Sequence, residues 1–171
     1  VTISMDINIR LRASVDTRAY LDGVRSLLPI ADIVKASDED LEPFEFATEA
    51  REAAALAYKE MGSGMLVLTE GKGGALMQTE DGVVEAEAFP TTHVKDTVGA
   101  GDTFHSALLA ALVRGGAIGG DFRNVGSAIL KDAVDFACAA AAINVSRVGC
   151  NPPTQSEVED FMQSTTTVRR T

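Results

Sequence analysis

Tryptophan is absent from the 171 residues, and tyrosine and cysteine occur twice each. Cys138 and Cys150 form no CxxC pair, and Cys138 falls in an Ala-rich run where cysteine behaves as a small hydrophobe. A reducing compartment, and hence a cytoplasmic protein, is the expectation. Positive charge is scarce as well: 15 Lys and Arg stand against 25 Asp and Glu, a formal net charge of −10. That deficit argues against nucleic acid or an anionic membrane surface as partner, because both need a basic face. No apolar stretch approaches the roughly 20 residues that span a bilayer. The longest, around Phe136 to Val145, is Ala-rich and fits a buried helix. There is no internal repeat and no low-complexity linker, so the chain reads as one domain. With 46% apolar and 23% charged residues it has the composition of an ordinary globular core, which excludes disorder.

The hydrophobic pattern alternates between strand and helix. Val1 to Asp6 reads as a strand, so the pattern opens inside an element and implies further chain before it. Thr17 to Leu28 is helical, with Ala19, Tyr20, Val24, Leu27 and Leu28 on one face. Ala31 to Val34 is a strand, and Ser37 with Asp40 three residues on reads as a capping box opening a short helix. Ala47 to Met61 is a helix stopped by Gly62. Gly64 to Thr69 is the continuous apolar run of a strand buried on both faces. Ala75 to Thr79 and Val83 to Ala88 form a hairpin, Gly99 to Arg114 and Val125 to Val145 are helices, and a short helix lies near Glu157 to Met162. Residues 165–171 carry no apolar periodicity and read as a frayed tail, which puts the domain at residues 1–164. Strands alternating with helices of this length indicate an α/β fold with a mainly parallel sheet flanked by helices.

The chemistry concentrates in Lys95-Asp-Thr-Val-Gly-Ala-Gly-Asp-Thr-Phe104. Ala100, Phe104, Ala107, Leu108, Ala111 and Leu112 recur at helical spacing, so a packed helix starts near Gly99. Backbone N–H groups in a first helical turn lack intrahelical acceptors. Small residues let a ligand approach them, and the helix dipole favours an anion there. Asp102 stands in the same turn and could accept a proton from a hydroxyl held beside the anion. Phosphoryl transfer needs that combination, since it depends on positioning and charge stabilisation. A glycine-rich turn with Asp102 merely capping a buried helix has the same form. His93 and His105 have no metal-ligand spacing, and neither a P-loop nor a dinucleotide fingerprint is present.

Asp96-Thr-Val-Gly-Ala-Gly-Asp102 resembles the second signature of the PfkB/ribokinase family of carbohydrate kinases. The likeness extends along the chain. Met5-Asp-Ile-Asn-Ile-Arg10 is similar to a segment of fructokinases and 2-keto-3-deoxygluconate kinases, and Ala31 to Leu41 to their strand-to-helix segment. Leu66 to Ala75 resembles the nucleotide-side strand and loop, and Ala139 to Gly149 the last helix and the loop near adenine. Members run to about twice this length. The resemblance therefore implies the C-terminal, nucleotide-binding part of a ribokinase-like domain, without the N-terminal half and lid.

The resemblance also implies roles. Asp102 would be the base for the sugar hydroxyl, with the amides of Gly99, Ala100 and Gly101 as anion hole. Thr69, Gly71 and Gly74 would shape the ATP phosphate and ribose region, and Asn144 would flank the adenine. Arg10 would reach the sugar. Asp96 and Val98 would belong to a loop for a monovalent cation, potassium. Asp40 would hold Mg²⁺ through water where the family commonly has N-x-x-E; here Ser37 and Asp40 occupy those positions, and a capping box explains them equally. The implied activity is transfer of the γ-phosphate of Mg-ATP to a primary hydroxyl of fructose or 2-keto-3-deoxygluconate. Small-molecule sugar and ATP are the implied partners, with a homodimer formed through the lid. A non-catalytic nucleotide-binding module and a nucleoside or vitamin kinase of the same superfamily remain alternatives.

Overall fold

The computed structural model describes residues 1–91, 93–118 and 125–168. The chain forms two compact units. One comprises Val1–Gly71 with Leu76–Val84, and the other Lys72–Ala75 with Glu85–Thr171.

The first unit is built on strands β1 (Ser4–Asp6), β2 (Ile33–Ser37) and β3 (Met65–Thr69), which pair in parallel. The sheet continues in the order β1-β2-β3-β4-β5 through β4 (Ala75–Thr79) and β5 (Gly82–Ala86), joined by a short turn. Helices α1 (Thr17–Arg25), α2 (Asp38–Leu41) and α3 (Ala50–Met61) supply the crossovers. Helix α3 buries Ala53, Ala54, Ala57 and Met61, which recur at helical spacing, against Val34, Ala36, Leu66 and Leu68 of the sheet. Gly62 ends it in the left-handed conformation, φ 77°. Register decides one polar feature: Asp6 lies opposite Lys35, and Lys35 Nζ donates to the Asp6 carboxylate at 3.1 Å while only 5% exposed. The lysine at that strand end is therefore buried and paired with a partly exposed carboxylate.

The second unit is helical. Helix α4 (Ala100–Arg114) packs on α5 (Ser127–Val145), and α5 on α6 (Gln155–Val168). Phe104, Leu108 and Leu112 of α4 and Val134, Ala137 and Ala140 of α5 are buried; the alanines let the two backbones approach closely. Helix α6 runs beyond the boundary expected at residue 164, to Val168. Its end is polar, but Ser164 Oγ and Thr165 Oγ1 donate back to the Phe161 carbonyl, satisfying themselves without leaving the helix. Of the expected tail, residues 169–171 lie outside the described residues.

Candidate active site

Helix α4 starts where the glycines allow it. Gly99 is its N-cap with φ 74°, a left-handed conformation that a side chain disfavours. The face a side chain would occupy is covered: a Cβ on Gly99 would lie 2.3 Å from Cys150 Sγ. The chain thus doubles tightly over the cysteine before entering the helix. Ala100 N donates to the Thr97 carbonyl at 3.2 Å. Among the described residues, the amides of Gly99, Gly101 and Asp102 have no acceptor. Asp102 is exposed at the first turn; its carbonyl accepts Ser106 Oγ at 2.8 Å. One residue on, Thr103 Oγ1 is buried with no hydrogen-bond partner, in a residue only 4% exposed. Of the three amides singled out in sequence, that of Ala100 is thus bonded within the chain, while those of Gly99 and Gly101 are without an acceptor among the described residues, beside the exposed Asp102 carboxylate.

Two side chains hold the loop that precedes α4. Asp96 accepts Val98 N on Oδ1 and Gly149 N on Oδ2, each at 3.0 Å. Donation from these amides, Val98 first, holds its carboxyl below the usual carboxylate range. Asn144, on α5 and 0% exposed, donates Nδ2 to the Val98 carbonyl at 2.9 Å and accepts Asn151 N on Oδ1 at 3.0 Å. Only this amide orientation makes both bonds, since a carbonyl must accept and an N–H must donate. The segment after α5 is fastened in turn by Arg147 Nη2 to Glu157 Oε1 at 2.5 Å. The sequence alone points to Asp96, Val98 and Asn144, and to the segment ending at Gly149 by resemblance, but not to Asn151; the Gly-Cys-Asn run after α5 is the available signal.

The other residues singled out in sequence are distributed as follows. Gly74, φ 92°, is buried against the Ala86 carbonyl, where an added Cβ would sit 2.1 Å away. Thr69, Gly71, Arg10 and Asp40 belong to the first unit. Thr69 Oγ1 lies 3.4 Å from the Ala36 carbonyl, and Gly71 is exposed with φ 53°. The exposed Arg10 folds Nη1 onto the carbonyl of its neighbour Ile9. Asp40 is 6% exposed and forms the capping box with Ser37: Oδ2 accepts Ser37 N and Oγ, while Oδ1 accepts Ile9 N at 2.8 Å. A hydrated Mg²⁺ fits such a carboxylate poorly, because both oxygens are committed and little surface is open. The oxygens expected to take potassium, those of Asp96 and Val98, each accept one N–H donor of this chain, which leaves each a further lone pair. No group of three or more His, Cys, Asp or Glu suited to a metal ion occurs among the described residues.

Known proteins resemble this chain throughout. The pfkB family carbohydrate kinase profile matches residues 2–157. The probable fructokinase-5 of Arabidopsis thaliana is 30% identical over 166 residues, covering 96% of this chain and 49% of that protein. A fructokinase of Rhizobium leguminosarum bv. trifolii is 38% identical over 110 residues, 64% of this chain and 33% of the relative. Among solved structures, the fructokinase of Vibrio cholerae O395 in its fructose, ADP and calcium ion bound form superposes with a TM-score of 0.79 at 26% identity, over 94% of this chain and 50% of the other. The chain spans about half the length of these relatives or less. The α/β arrangement is therefore ribokinase-like, and the D-T-V-G-A-G-D turn at the head of α4 is the local counterpart of that match. By fold and by sequence, this chain belongs to the pfkB family of carbohydrate kinases.

Proposed function

We propose that this chain carries the nucleotide- and phosphoryl-handling part of an ATP-dependent sugar kinase, with fructose or 2-keto-3-deoxygluconate as the acceptor. The observation that carries the reading is the head of α4: backbone amides without acceptors beside an exposed carboxylate, Asp102. The fructose and ADP held by the Vibrio cholerae fructokinase support the substrate class.

In this reading the amides of Gly101 and Asp102, at the positive end of the helix dipole, stabilise the charge that develops on the transferring phosphoryl group. Asp102 accepts the proton of the sugar's primary hydroxyl as that oxygen bonds to the γ-phosphorus. The bond from the γ-phosphorus to the β–γ bridging oxygen breaks, and ADP leaves with the electron pair. Mg²⁺ bound to the phosphates would offset their mutual repulsion. Thr69 and Gly71 at the end of β3, with Gly74, are the groups assigned to the nucleotide's phosphate and ribose. Arg10 is assigned to the sugar. Asp40 keeps its place as a cap in this scheme, and no step is routed through a monovalent cation.

The test is Asp102→Asn in the full-length protein. Turnover is expected to fall by roughly 10³-fold or more, since a positioned base typically contributes 10²- to 10⁴-fold, while ATP binding persists. Unchanged turnover removes Asp102 from the reaction.

A further inference from the structure

Helix geometry would pair the Asp102 amide with the carbonyl four residues earlier, that of Val98. In this structure the Val98 carbonyl is instead taken by Asn144 Nδ2 at 2.9 Å, and Asp102 N has no acceptor among the described residues. The next amide, Thr103 N, is bonded normally to Gly99 O at 2.8 Å. Asp102 is the third residue of α4, and the first amides of any helix lack an intrahelical acceptor; the carbonyl that would serve it if the helix began one residue earlier, that of Val98, is held outside the helix by Asn144. Asn144 is fully buried and is anchored on its other side by Asn151 N at 3.0 Å, so it cannot swing away without leaving buried polar groups unpaired.

We infer that Asn144 is a positioning residue that keeps the anion cradle open by holding the Val98–Gly99 peptide in its non-helical orientation, with the Val98 carbonyl directed away from the amide of Asp102. Without its donor, the Val98–Gly99 peptide can turn, because Gly99 tolerates several backbone conformations, and the freed carbonyl can cap the amide that should face phosphate. Asn144 then acts on phosphate through the backbone. This differs from contact with the adenine, since both polar ends of its side chain are already used within the protein. The inference rests on the kinase reading for its consequence but not for its geometry.

The experiment has two arms. In the unsubstituted chain, nuclear magnetic resonance follows exchange of the Asn144 side-chain amide protons and of the Gly101 and Asp102 backbone amides. Slow exchange at Asn144 with fast exchange at Asp102 is expected; a protected Asp102 amide or a fast Asn144 side chain overturns the inference without any variant. The second arm compares ATP with adenosine, which lacks phosphates, in Asn144→Asp (same shape, no amide donor) and Asn144→Ala (no added charge). ATP affinity should fall roughly 10- to 100-fold in both variants, the range for losing a bond to a charged group, with adenosine affinity unchanged. Equal losses for ATP and adenosine, wild-type ATP affinity, or an effect in the Asp variant alone each overturn it. Failure of the unsubstituted chain to bind either ligand would count against the kinase reading, while the exchange arm still decides the role of Asn144.

Discussion

At the scale of single residues, Gly99 and Asn144 fix the turn that leads into the first turn of α4, where Asp102 stands. Gly99 has a left-handed φ of 74° and Cys150 pressed against its bare face. Gly99→Ala combines two penalties, a strained backbone and a Cβ 2.3 Å from Cys150 Sγ. We expect it to destabilise the chain by about 2–4 kcal/mol, measured by urea unfolding. The double variant Gly99→Ala, Cys150→Gly should recover only the part due to the collision. Full recovery would mean that the backbone conformation costs nothing. The glycine could be read from the sequence as a helix start, but the cysteine that fills its open face could not, because 51 positions separate them.

At the scale of elements, the sequence was most legible where the determining interactions are local. The Ser37–Asp40 capping box, the Gly62 stop of α3 and the N-cap of α4 at Gly99 all form as read, since each depends on residues within one turn. Ends set by packing were less legible: α1 stops at Arg25 where a helix to Leu28 is expected, because Leu28 begins a separate 3₁₀ turn and is buried in the core. Asp40 joins the two kinds of information. It caps α2 locally and also accepts Ile9 N, 31 positions away, so it ties the chain beyond β1 to the start of a helix. Asp40→Ala would orphan the amides of Ile9 and Ser37, and a loss of about 2–4 kcal/mol is expected in thermal or urea unfolding. Asp40→Asn, which keeps one acceptor, should lose less. Equal stability of the alanine variant and the parent would contradict the structural role assigned to that carboxylate.

At the scale of the whole molecule, two carboxylates of the second unit tie its loops to its helices in a way that acid should loosen. Asp96 and Glu157 both have carboxyl groups held below their ordinary values of 3.8 and 4.5. Amides of Val98 and Gly149 act on the first, and Thr154 N followed by Arg147 on the second. A lowered native pKa means that the unfolded chain binds protons more readily, so the stabilisation is complete above the ordinary values and is lost as pH falls through the native ones. Hydrogen exchange followed downward from neutral pH should show the Val98, Gly149 and Thr154 amides opening below about pH 4 before the α4–α5 core does. A core that opens first, or protection at these amides unchanged to about pH 2, would refute this. What the sequence by itself determined is the alternation of strands and helices, the caps, the family and the acidic residue at the head of α4. The alternation and the caps follow from periodicity and from contacts within a few residues, and the family from the resemblance of short motifs such as Asp96 to Asp102. Only the tertiary structure decided that Asn144 and Asp96 close the loop before the cradle, with partners 46 and 53 positions away. It also decided that Lys35 is buried against Asp6 and that the chain divides into two compact units. Such pairings depend on which elements pack together, and no local pattern in the chain encodes that distance.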